Sequence, residues 1–165
     1  MAIERVRQYF DSLGMGGRVL EFSQSSATVE LAAQAVGCAP ERIAKTLSFD
    51  LPQGPVLIVI AGDGKIDNGK YKQKFHSKAK MIPAQDVEEK IGHGIGGVCP
   101  FGIKDGVTVY LDESLRRFET VFPACGSSNS AIELTIPELE KYSGSREWVD
   151  VCKGWQPFNQ PEEEQ

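Results

Sequence analysis

The chain has 165 residues and a mass of 18.1 kDa, enough for one domain that buries about 70 % of the surface its unfolded chain exposes, without a disulfide or metal staple. Its composition, 41 % hydrophobic and 25 % charged with mean hydropathy -0.26, excludes the disordered, collagenous and membrane-spanning classes. The net charge of -5 argues by itself against a nucleic-acid partner, but the charge is uneven: Lys65, Lys70, Lys72, Lys74, Lys78 and Lys80 face a single acid, Asp67, within residues 65–80. Such a stretch steers a polyanion to one face, and on charge alone it is also an ordinary solvated lysine-rich helix.

In chain order, Ile3, Val6, Tyr9, Phe10 and Leu13 recur at helical spacing and Gly14 stops the helix. Residues 18–22 read as a short strand. Ser25, Ser26 or Thr28 caps a second helix that runs to Val36 and ends at Gly37. Pro40 opens one helical turn before a strand over 44–49. A turn over 52–55 leads to Val56-Leu-Ile-Val-Ile-Ala61, a continuous apolar run expected to be a central strand covered on both faces. A helix over 68–75, a short strand over 80–82 and a helix over 84–91 closed by Gly92 follow. Residues 93–102 contain four glycines and Pro100, a composition that exposes backbone amides. Further strands are expected over 107–111, 120–123 and 131–134, with a short helix over 113–117. Thr135-Ile-Pro-Glu138 is a capping box for a helix to Tyr142, and 148–151 is a last strand.

Strands and helices alternate without a regular βαβ period, so the expected class is α+β with a mixed sheet. One domain over 1–155 is expected, followed by a disordered acidic tail over 156–165. No apolar run reaches the ~20 residues of a membrane span, and the first residues lead into an amphipathic pattern instead of a signal, which places the chain in the cytoplasm. Cys38, Cys99, Cys125 and Cys152 form no CxxC pair, and His76 and His93 are the only histidines. No metal and no organic cofactor is therefore expected. No Walker loop, GxGxxG or GxSxG occurs.

Three features remain as a possible site: Lys45 in Ala44-Lys-Thr-Leu47, the loop Gly96-Gly-Val-Cys-Pro100-Phe-Gly102, and the loop Ala124-Cys-Gly-Ser-Ser-Asn-Ser130. Read singly, Lys45 is a strand-edge lysine with its head in water, and the two loops are turns rich in glycine and serine. Cys99 beside His93 suggests a thiol nucleophile, provided the loop folds back to bring the imidazole near.

Taken together and in this order, the lysine opening the first core strand, the GxxxP loop about fifty residues on and the Ala-x-Gly-Ser loop before the last helix resemble the YbaK-like, prolyl-tRNA-synthetase-associated editing domain. Ala61-Gly-Asp63 and Val109-Tyr-Leu-Asp-Glu-Ser114 extend the resemblance over most of the chain. It implies a mixed, partly barrel-like central sheet surrounded by helices. It also implies a trans-editing deacylase that hydrolyses the ester of a small wrong amino acid (Ala, Cys, Ser or Thr) on proline tRNA, with water as nucleophile and backbone amides holding the oxyanion.

Under the resemblance Lys45 holds the phosphate or ribose of the terminal adenosine. Gly96 and Gly97 bring amides to the ester, Pro100 fixes the loop, and Gly126 lines the aminoacyl pocket. Substrate contacts are expected from Phe22, Thr28, Thr46, Cys99, Phe101, Ser127, Ser128 and Asn129, and tRNA phosphate contacts from Lys70, Lys72 and Lys74. The implied partners are the acceptor end of a mischarged tRNA and an aminoacyl-tRNA synthetase, with no DNA and no membrane. A non-catalytic module that binds tRNA or a synthetase is the alternative from another class.

Overall fold

The first helix, α1 (Ala2–Ser12), forms where the apolar spacing predicts it and buries Val6 and Phe10 completely. The computed structural model describes residues 2–26 and 28–155. After β1 (Val19–Glu21), helix α2 (Val29–Val36) is capped by Thr28, whose Oγ1 accepts the Leu31 N–H at 3.1 Å, and ends at Gly37 in the left-handed region. The long hairpin β2 (Ile43–Leu51) and β3 (Gly54–Ala61) pairs antiparallel from Ala44 opposite Ala61 to Leu51 opposite Gly54. Next come β4 (Lys65–Ile66), α3 (Asn68–Phe75) capped by Asp67, and α4 (Ala84–Ile91). The C-terminal half holds β5 (Thr108–Asp112), β6 (Thr120–Pro123), β7 (Ser130–Ile132), β8 (Leu134–Thr135), α5 (Ile136–Ser143), β9 (Glu147–Val149) and β10 (Cys152–Lys153).

Six strands form one mixed sheet in the order β8-β6-β2-β3-β5-β9. The β2–β6, β3–β5 and β5–β9 pairs are parallel, so each needs a crossover; α3 and α4 lie in the β3–β5 connection. The chain is thus α+β, with the curled mixed sheet and flanking helices that the sequence implied. The apolar run of β3 is explained by its position. Leu57, Val59 and Ala61 enter one core cluster with α1, α4 and α5, while Val56, Ile58 and Ile60 enter another with Tyr71 of α3.

Several elements differ from expectation, each for a tertiary reason. The strand expected over 131–134 is two: β7 pairs with β1 and β8 with β6. Between them Glu133 is exposed, with Arg42 at 3.1 Å and Thr120 at 2.6 Å from its carboxylate. The strand expected over 80–82 is only a bridge from Met81 to Phe49, held by Asp50 N–H to Lys80 O at 2.9 Å and Ile82 N–H to Ser48 O at 3.1 Å. The last expected strand stops at Val149, and the Val151 N–H goes to Asp112 Oδ1 at 2.9 Å. The β4–β10 ladder has two residues on each side, too short for a periodic signal. The expected tail over 156–165 lies outside the described residues.

Candidate active site

A cavity of about 300 Å³ opens beside the first half of β2. It is bordered by Ile43 to Ser48, by Thr28, Val29 and Ala32 at the start of α2, by Ile95, Gly96 and Val98 of the glycine loop, and by Met81, Phe122, Ala124 and Ala131. Of the residues expected at a site, Thr28, Lys45, Thr46 and Gly96 border it. Thr28 is committed to capping α2, and Thr46 Oγ1 is buried with no hydrogen-bond partner among the described residues. A wider depression of about 1150 Å³ lies between α1 and α4, but its Arg5 guanidinium is spent on the carbonyls of Gly92 and Gly102.

Lys45 is half-buried, opposite Ile60 across the hairpin. Among the described residues its ammonium makes no hydrogen bond and no ion pair. Burial lowers its pKa from the usual lysine range, opposed only in part by Cys152, Asp63 and Glu30. Asp63, in the Ala-Gly-Asp turn after β3, cannot give itself wholly to Lys45, since Arg117 grips its two oxygens at 2.9 and 2.5 Å. The result is a cation on a rigid strand, facing a cavity, with no anion of its own.

The glycine loop and the serine loop meet at Gly97. A Cβ there would lie 2.7 Å from Gly126 C and from Ser127 N, so only glycine allows the two backbones this approach. The Gly97 N–H donates to Gly94 O at 3.1 Å and is not available to a ligand, whereas the Gly96 N–H has no acceptor among the described residues. Pro100, in the same loop, is buried. Gly126 has φ +96°, where a side chain would be strained.

Phe22, Ser127, Ser128 and Asn129, none of which borders the cavity, form a brace that ties the segment after β1 to the serine loop. Asn129 Nδ2 donates to Phe22 O at 2.8 Å, Phe22 N–H to Asn129 O at 2.8 Å, and Ser26 N–H to Ser128 O at 2.5 Å. Ser127 Oγ lies 2.8 Å from Ser130 Oγ and 2.9 Å from Asn129 Oδ1.

Cys99 and Phe101, expected at the substrate, are core residues at 0 % and 1 % exposure; Phe101 packs on Tyr9 and Phe10 of α1. The loop does fold back, placing Cys99 Sγ 3.5 Å from His93 Nε2. The chemistry is wrong for a dyad, because Nε2 is 2.6 Å from Phe101 O and must carry its proton toward that carbonyl. It cannot then take one from the thiol. Burial pushes the thiol pKa up to about 12 and lowers that of His93, so the pair is a neutral thiol beside a neutral imidazole.

The lysines of α3 are partly spoken for. Lys70 donates to Asp150 and to Cys152 O, both at 3.1 Å, and Lys74 pairs with Glu147 at 2.7 Å. Lys72 is exposed. Sequence reasoning passed over Met81 and Ile95, which border the cavity. A large apolar residue between Gly94 and Gly96 was the available signal. Among the described residues no three His, Cys, Asp or Glu side chains converge to hold a metal, and no helix is long and apolar enough to cross a membrane.

Residues 23–142 match the family described as the aminoacyl-tRNA editing domain. The uncharacterized protein YwhH of Bacillus subtilis (strain 168) is 54 % identical over 94 % of this chain and 100 % of its own length. The proline–tRNA ligase of Kosmotoga olearia is 30 % identical over 55 % of this chain, which spans only 16 % of that enzyme. Among solved structures, a proposed trans-editing enzyme for prolyl tRNA synthetase superposes with TM-score 0.83 at 30 % identity, covering 93 % of this chain and 98 % of the other.

Proposed function

The chain belongs to the aminoacyl-tRNA editing domain family, and on that premise we propose that it hydrolyses mischarged aminoacyl-tRNA in trans, removing a small wrong amino acid (Ala, Cys, Ser or Thr) from proline tRNA. The observation that carries this reading is the half-buried Lys45 ammonium with no anion partner among the described residues, bordering a cavity with the Gly96 amide. A cation held out of water without a partner costs free energy that a bound phosphate recovers.

In this reading Lys45 binds the phosphate of the terminal nucleotide, and the ester carbonyl lies toward the Gly96 N–H. Water adds to the carbonyl carbon. The oxyanion takes the Gly96 hydrogen bond, and collapse breaks the bond to the ribose oxygen, which leaves with a proton as the free hydroxyl. Gly97, Pro100 and Gly126 act by holding the two loops together. The brace of Phe22, Ser127, Ser128 and Asn129 shapes the wall, and Lys72, with Lys70 and Lys74 once released from their acids, meets acceptor-stem phosphates. One editing domain over 1–155, working in the cytoplasm alongside a synthetase, completes the proposal.

The test is release of labelled amino acid from proline tRNA charged with Ala, Cys, Ser or Thr, with correctly charged controls. Selective release by the wild type, lost in Lys45→Ala and kept in Cys99→Ala, is the expected outcome. Loss in Cys99→Ala with a preserved fold would restore a thiol mechanism. No release from any substrate, with tRNA binding intact, would leave a binding module.

A further inference from the structure

Resting on the deacylase reading above, we infer that Met81 and Ile95 form an apolar clamp that grips the terminal base of the tRNA and so positions the nucleotide whose ester is cleaved. At 54 % and 66 % exposure they are the two most exposed large apolar side chains among the described residues, and both border the cavity that Lys45 borders. Single exposed apolar residues are ordinary. Two at the mouth of one cavity are a contact surface.

Both side chains are exposed, and at Met81 the backbone sets the direction. Met81 is bridged to Phe49 of β2, and its neighbour Ile82 turns inward at 4 % exposure, so alternation sends Met81 to the opposite side. Ile95 sits between Gly94 and Gly96, two residues before the point where Gly97 is locked against Gly126 and Ser127.

The unpaired cation identifies the occupant. Lys45 calls for an anion, and the clamp calls for a flat apolar group on the same molecule. Met81 lies opposite Phe49, four residues along β2 from Lys45, so the two backbones are about 13 Å apart at the rise of a strand, a gap that the long Lys45 and Met81 side chains narrow to the reach of one nucleotide. A nucleotide with its phosphate at Lys45 and its base at the clamp joins them. Apolar side chains hold a base by its faces, and the Met81 thioether adds a sulfur–aromatic contact. Two side chains offer far less than the roughly 800 Å² per partner of a protein interface.

The probes are 3′-alanylamino-3′-deoxyadenosine 5′-phosphate, whose amide replaces the labile ester, and the same sugar phosphate lacking the base. Calorimetry with each should show about tenfold or more weaker binding without the base. That difference should vanish in Met81→Ala/Ile95→Ala and persist in Met81→Leu/Ile95→Leu. In methyl-labelled protein the Met81 and Ile95 signals should move upfield with the adenine compound and stay in place with the abasic one, a ring-current effect that a merely structural role would not produce. Equal binding of both probes with unmoved methyl signals overturns the clamp and leaves the deacylase reading standing. Failure of both probes to bind, together with no release from the mischarged panel, overturns both.

Discussion

Gly97 makes its contribution through the atom it lacks. A Cβ there would meet backbone on both sides, at 2.7 Å from Gly126 C and Ser127 N, and backbone cannot swing aside as a side chain can. Gly97→Ala is expected to cost about 1–3 kcal/mol in urea unfolding and, by separating the two loops, on the order of 10²-fold in single-turnover deacylation. Gly17→Ala, with nothing within 4 Å of its Cβ, should leave both unchanged. At this scale much was legible in part: Lys45, Gly97 and Gly126 stand out as residue types in an ordered pattern. That Gly97 spends its amide on Gly94 was hidden, because a hydrogen bond inside an irregular loop follows from its path and not from its composition.

Among the elements, α5 is the one whose start is written most plainly. Thr135 Oγ1 accepts the Glu138 N–H at 3.2 Å and Glu138 Oε1 accepts the Thr135 N–H at 2.9 Å, the reciprocal pair that the Thr-x-x-Glu spacing predicts. Arg18 adds hydrogen bonds to both carboxylate oxygens at 3.0 and 3.1 Å, and chiefly through these the Glu138 pKa is held at about 2 against an ordinary 4.5. The folded value lies below the unfolded one, so this stabilisation is present above pH 4.5 and is lost as pH falls toward 2. Glu138→Gln should flatten that acid limb in denaturation measured across the window, and Thr135→Ala should cost about 1 kcal/mol at neutral pH. The arginine's share was not legible, since Arg18 and Glu138 lie 120 residues apart.

At the scale of the whole molecule, a chain of net charge -5 must bind a polyanion through a few local cations. Two of the three lysines expected to do so are already paired, Lys70 with Asp150 and Lys74 with Glu147. Lys72→Ala should therefore reduce the salt dependence of tRNA binding by about one unit of slope, read from affinities over a range of salt, while Lys70→Ala and Lys74→Ala should each reduce it less. A uniform effect of all three would mean that the pairs open fully on binding.

What local chemistry encodes was readable along the chain: the Thr135 capping box, a cap for α2 among Ser25, Ser26 and Thr28, the doubly apolar β3, the mixed class, and the ordered lysine, GxxxP and Gly-Ser motifs that place the chain in its family. The tertiary structure alone decided which of those residues meet. It set Gly97 against Gly126, left Lys45 without an anion among the described residues, turned His93 toward Phe101 O and sent Cys99 into the core. Each of these depends on how closely two distant stretches of backbone approach, a quantity fixed by packing across the sheet and invisible in spacing along the chain.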